Sequence, residues 1–132
     1  MHHRSLRALQ RAGATAWLAL AATLATPAHA LQVFASEPEW AALTRELAGD
    51  KATVYTATTA LQDPHQIQAR PSLIAAVRKA DLLVCTGADL EAGWLPVLLR
   101  QAANPAVDDG KPGQLMAADF VRKLDVPTRL DR

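Results

Sequence analysis

From residue 31 onward the chain alternates between short apolar runs and amphipathic stretches. "LQVFA" (residues 31–35) is apolar and predicts a strand. "SEPEWAALTRELAG" follows, with Trp40, Leu43 and Leu47 at helical spacing and Gly49 as a natural stop. Ser36 and Glu39 have the spacing of a capping box, and Pro38 suits a first helical turn. "ATVYTA" (residues 52–57) is rich in β-branched residues and predicts a second strand. "RPSLIAAVRKAD" places Leu73, Ile74 and Val77 on one helical face. "LLVCTG" (residues 82–87) is a continuous apolar run, the pattern of a strand covered on both faces. "EAGWLPVLLRQA" (residues 91–102) predicts a third helix, with Pro96 tolerable only near its first turn. A turn-rich loop spans residues 104–114, and Phe120 and Leu124, four apart, predict one more short helix.

Strand and helix therefore alternate three times. That order predicts an α/β fold of βαβ units with a parallel sheet. In open sheets of this kind ligands bind beyond the carboxyl ends of the strands. The loop "QDPHQIQ" (residues 62–68) after the second strand and the turn Thr86-Gly87-Ala88-Asp89 after the third fall on that edge.

The first 30 residues follow different rules. Arg4, Arg7 and Arg11 precede an uncharged run over residues 12–26, and Ala28-His29-Ala30 has the small-x-small form of a cleavage site. This is the layout of a secretory signal peptide. The uncharged run is shorter than the roughly 20 residues that span a bilayer. Residues 1–30 are expected to be removed on export, leaving residues 31–132 as the mature domain. The 132-residue chain carries 14 basic and 13 acidic residues, net +1. Removing the leader takes three of those basic residues and no acid, which turns the balance to −2. A mildly acidic product has no electrostatic basis for binding nucleic acid.

Catalytic motifs are absent: there is no GxSxG, GxGxxG, P-loop or HExxH. Cys85 is the single cysteine and lies inside an apolar run, which argues for a buried thiol and against a Cys85–His65 nucleophile pair. The carboxylates Asp63, Asp81, Asp89 and Glu91 show no spacing that marks an acid–base pair. Asp89 and Glu91 read as solvated helix-start carboxylates, with a supporting place at a site as the alternative. Trp40 and Trp94 read as packing residues. No enzymatic activity is expected. His65, the only histidine after residue 30, is a candidate metal ligand, since imidazole is a common zinc ligand. Zinc takes three or four protein ligands, so ligand counting alone favours a solvated loop histidine.

The order of several small marks goes further. Gly49-Asp50 precedes the second strand and Asp63-Pro64-His65 follows it. Pro71-Ser72 opens the next helix, Ala80-Asp81-Leu82 enters the third strand, and Gly87, Leu90-Glu91 and Trp94-Leu95 come after. In this order and spacing, residues 31–107 resemble the N-terminal lobe of the zinc/manganese solute-binding proteins of metal ABC transporters (the cluster A-I type). The resemblance implies an exported, periplasmic protein of two α/β lobes. It implies zinc as the divalent cargo, with manganese as the other option, and an inner-membrane ABC permease as partner. It also implies that His65 is the first metal ligand, the others coming from later in the first lobe and from the second. Many relatives carry an aromatic and a glutamate just after that histidine, where this chain has Ile67 and Gln68. The chain is shorter than such proteins, so residues 31–132 are expected to be a partial N-terminal lobe. An interaction module that holds no metal, or a non-functional truncation product, is the alternative.

Overall fold

The computed structural model describes residues 29–124, so the expected signal peptide lies almost wholly outside the described residues. Strand β1 (Leu31–Ala35) leads into helix α1 (Pro38–Ala48), and a 3-10 turn at Gly49–Lys51 leads into β2 (Ala52–Thr56). A second 3-10 turn, Pro64–Gln66, precedes helix α2 (Pro71–Lys79) and strand β3 (Leu82–Cys85). Helix α3 (Leu95–Ala102), strand β4 (Gln114–Met116) and a 3-10 turn at Ala117–Phe120 complete the described fold.

The strands form one parallel sheet in the order β2-β1-β3-β4. Right-handed crossovers in that order put α1 on one face and α2 and α3 on the other. The packing agrees: α2 and α3 lie against each other, and α1 meets β1 and β2. The main core sits under α2 and α3, where Phe34, Leu73, Val77, Leu83, Cys85, Trp94 and Leu98 interlock. The C-terminal end of each helix on that face is closed by a side chain. Asn104 donates to the carbonyls of Val77 and Ala80, and Arg78 to those of Gln101 and Ala102. These bonds satisfy carbonyls that the helix ends leave without partners.

Four expectations are corrected. The short helix predicted near the C-terminal end is instead strand β4 followed by a 3-10 turn, with Phe120 and Leu124 both exposed. The apolar residues of "QLM" pair with β3, as in Val84 with Leu115, and this pairing outweighs a four-residue spacing. Helix α3 starts at Leu95 rather than residue 91. A start at residue 91 would need an N–H from Pro96, which has none. The capping box does not form. Glu37 is the N-cap of α1 without a side-chain capping bond, and the Ser36 hydroxyl turns elsewhere. The apolar stripe of α1 is not buried as the periodicity implies: Ala41 is its only buried residue, and Leu43 and Leu47 are exposed.

The chain leaves β1 in one direction across the sheet and β3 in the other. Their adjacent carboxyl ends are therefore the point where the winding reverses, the place where such sheets open a crevice.

Candidate functional site

His65 stands on the carboxyl edge, on the loop that follows β2, as the strand order predicts. Asp63 is the N-cap of its 3-10 turn and accepts two hydrogen bonds on one oxygen. The backbone N–H of His65 donates at 3.0 Å and the ring Nδ1 lies at 2.9 Å. These two bonds, backbone first, hold the Asp63 carboxyl below its usual range. An ionised carboxylate only accepts, so the neutral His65 ring carries its hydrogen on Nδ1 and leaves the Nε2 lone pair free. The ring is well exposed, at 62% for its side chain. Asp63-Pro64-His65 thus presents one oriented imidazole nitrogen to solvent. A carboxylate behind a ring is the arrangement that orients metal-binding histidines.

The loop is tied down from several sides. Thr58 donates to the carbonyl of Ser36, and Arg70 to that of Ala57. Ile67 reaches into the core. The indole N–H of Trp94 donates to the carbonyl of Pro64 at 2.8 Å. Gly93 lies so close that a Cβ there would stand 3.2 Å from the carbonyl oxygen of His65. Trp94 is therefore more than packing, because it is a strut from the core to the His65 turn.

The other candidates separate. Cys85 is fully buried, and burial pushes its thiol well above the ordinary range, with the charge of Glu91 adding to the effect. Asp81 accepts from the N–H of Gln32 at the entry to the sheet, far from the carboxyl edge in register. Asp89 is exposed and lies in a left-handed run, with φ of +76°, +52° and +69° at Gly87, Ala88 and Asp89. Glu91 is not a solvated helix-start carboxylate. It is 2% exposed, and its two oxygens accept from Thr86 N at 2.8 Å and Gly87 N at 2.9 Å.

A second polar group sits where the winding reverses, and the apolar periodicity of the chain gives no hint of it. Glu37 is buried beside Glu91, and the Ser36 hydroxyl lies between them, 2.6 Å from Glu37 and 2.9 Å from Glu91. Thr86 donates to the same Glu37 oxygen at 2.8 Å while accepting the indole N–H of Trp40 at 2.7 Å. Burial raises the pKa of Glu37, partly offset by the Ser36 and Thr86 bonds, and the charge of Glu91 raises it further. The signal for this pair is topological: each glutamate lies just past a strand end, and the two strands are neighbours. Among the described residues, no three His, Cys, Asp or Glu side chains converge to hold a metal ion.

A parallel α/β lobe with an oriented histidine on its carboxyl edge has the form of one lobe of a solute-binding protein. The family model described as zinc-uptake complex component A, periplasmic (ZnuA), matches residues 33–120, and the chain belongs to this family. The manganese ABC transporter substrate-binding lipoprotein PsaA of Streptococcus anginosus is 32% identical over 81 residues, 59% of this chain and 26% of that protein. The manganese ABC transporter substrate-binding lipoprotein scaA of Streptococcus gordonii is 33% identical over 75 residues, 54% of this chain and 24% of that protein. The chain thus spans about a quarter of the length of these relatives. Among solved structures, a crystal structure of ZnuA has a TM-score of 0.54 at 27% identity, over 62% of this chain and 33% of that one. The Mn-bound periplasmic metal binding protein of Candidatus Liberibacter asiaticus shares the fold, with a TM-score of 0.57 at 24% identity over 73% of this chain and 34% of that one.

Proposed function

We propose that this chain is part of the first lobe of a periplasmic metal carrier, that zinc is its cargo, and that it delivers the ion to an inner-membrane ABC permease. Manganese is the competing cargo, and two of the similar relatives are named for it. The observation that carries the reading is His65, whose ring is set by Asp63 so that Nε2 faces solvent on the ligand edge. In this reading His65 Nε2 donates its lone pair to the ion. Asp63 holds the ring and offsets part of the positive charge that reaches it. Zinc requires three or four protein ligands and no three candidate donors converge among the described residues, so in this reading the set is completed from beyond them. The role is binding and release: coordinate bonds to the ion form and break, and the ion itself is not transformed.

Calorimetry on the full-length gene product tests this, with zinc and manganese titrated separately. His65→Ala is expected to weaken zinc binding well beyond tenfold. Unchanged zinc affinity in that variant overturns the ligand assignment. Because most sites bind zinc more tightly than manganese whatever their cargo, the cargo is read from cellular metal uptake: loss of manganese rather than zinc accumulation on deleting the gene overturns the choice of cargo.

A further inference from the structure

We propose that Glu37, Ser36 and Glu91 share one retained proton, and that this proton lets Glu91 grip the Thr86–Gly87 turn behind the His65 loop. The argument is a count of hydrogens. Ser36 Oγ has one hydrogen, yet it stands within hydrogen-bond distance of two carboxylate oxygens, Oε2 of Glu37 and Oε1 of Glu91. The Thr86 hydroxyl hydrogen is already committed to Glu37, because the Thr86 oxygen receives the indole N–H of Trp40. With both glutamates ionised, Ser36 serves one of them and sets bare lone pairs against the other at less than 3 Å. One added proton removes the conflict. Glu37 then donates to Ser36 Oγ, and Ser36 donates to Glu91.

The proton belongs on Glu37. Both Glu91 oxygens already accept backbone N–H groups, so a hydrogen on either would compete with a donor. Glu37 has no such donors, and its Oε1 is buried without a partner. A neutral carbonyl oxygen tolerates that position far better than a carboxylate oxygen does. The 2.6 Å separation of Ser36 Oγ and Glu37 Oε2 lies in the range of short O–H···O bonds. The titratable groups acting on Glu37 are Glu91 alone and, nearby, the Cys85 thiol, which itself feels both carboxylates. Neither ion pair among the described residues involves Glu37 or Glu91.

The consequence reaches the ligand edge through the backbone. Glu91 holds Thr86 N and Gly87 N at the root of three successive left-handed residues. The same segment continues to Gly93 and Trp94, which back the His65 turn. Glu91 is thus a positioning residue, and loss of the shared proton sets its charge against that of Glu37. Because the folded-state pKa of Glu37 is raised, the grip is complete at low pH. It is lost as pH climbs from the ordinary glutamate range through the raised value.

The test is a carboxyl-carbon NMR titration of the full chain labelled at its four glutamates, with hydrogen exchange followed at Thr86 and Gly87. One glutamate is expected to titrate above the other three, and its signal is expected to vanish in Glu37→Gln. Protection at Thr86 and Gly87 is expected to fall about tenfold per pH unit across that window and then level off. In Glu37→Gln the amide N–H donates to Ser36 at every pH while the Thr86 hydroxyl loses its acceptor on that atom, so protection starts lower but stays flat with pH. Four glutamates titrating together in the ordinary range overturn the proposal, and the unmutated chain alone decides this even if the variant fails to fold. Protection that falls equally in Glu37→Gln also overturns it. Neither readout involves metal, so failure of the zinc reading leaves this result untouched.

Discussion

Trp94 and Pro64 lie 30 positions apart in the chain and meet through a single bond of 2.8 Å, indole N–H to carbonyl oxygen. The bond ties the first residue of the His65 turn to the buried core. Trp94→Phe keeps most of the buried ring and removes the donor. It is expected to cost about 1 kcal/mol of unfolding free energy. Urea denaturation measures that cost, and amide shifts at His65 and Gln66 should move more than those on β4. A variant as stable as the parent, with unmoved loop shifts, would show that the bond contributes nothing.

Asp63 predicts an acid-side dependence at the same turn. Its folded-state pKa is lowered by the bonds from His65, so its contribution is fully present above the ordinary aspartate range. It is lost as pH falls through the lowered value. Asp63→Asn keeps an acceptor for the backbone N–H but removes the charge behind the ring. Nitrogen NMR of His65 is expected to show a weaker preference for hydrogen on Nδ1. If His65 is a metal ligand, as proposed, binding of the metal is expected to weaken about tenfold to a hundredfold.

Gly113 has no room for a side chain. An added Cβ would stand 2.3 Å from the Ala106 carbonyl oxygen and 2.8 Å from that of Asp81, both backbone atoms that cannot swing away. The same glycine accepts the N–H of Leu83 as β4 begins. Gly113→Ala is expected to cost about 1–3 kcal/mol and to loosen β4 first. Thermal unfolding gives the cost, and hydrogen exchange at Leu115 and Met116 locates it.

Cys85 is predicted to be chemically silent. Its side chain is fully buried and its thiol stays protonated, since burial and the charge of Glu91 both oppose the thiolate. Maleimide labelling should be negligible in the native state and complete in denaturant. Fast native labelling would reopen the case for a nucleophile.

Ala88 carries strain that glycine would relieve. Its φ is +52°, in the left-handed region. Ala88→Gly is expected to stabilise the fold by about 1 kcal/mol, less the extra freedom that glycine gives the unfolded chain. A loss of stability on urea denaturation would show that the methyl group is held by packing.

Much of the sheet was legible in the chain because a buried parallel strand shows as a continuous apolar run, as "LLVC" does. Strand order then placed His65 on the carboxyl edge, where the structure has it, without any contact being known. Strand β4 was hidden because three residues carry too little pattern, and its pairing with β3 depends on a partner 31 positions away. The roles of Ser36 and Glu91 differ from the sequence expectation for a related reason, and Glu37 gave no signal at all. Local rules assign a serine and a glutamate near a helix start to capping. Here the long-range partners win, because two carboxylates taken out of water need donors more urgently than a helix end that water can reach. The amphipathic reading of α1 failed because the one residue of that helix that is buried is Ala41, whose small side chain no periodicity count weighs heavily.

The two indoles of the described fold stand on different polar systems. Trp94 touches the His65 turn through Pro64, and Trp40 touches the carboxylate pair through Thr86. The described fold therefore contains two native optical gauges. Single-tryptophan variants would separate them, one emission following what happens at the histidine and the other following the proton between the glutamates. Any event that travels from one end of the edge to the other would then be visible as a lag between two colours of the same ultraviolet signal.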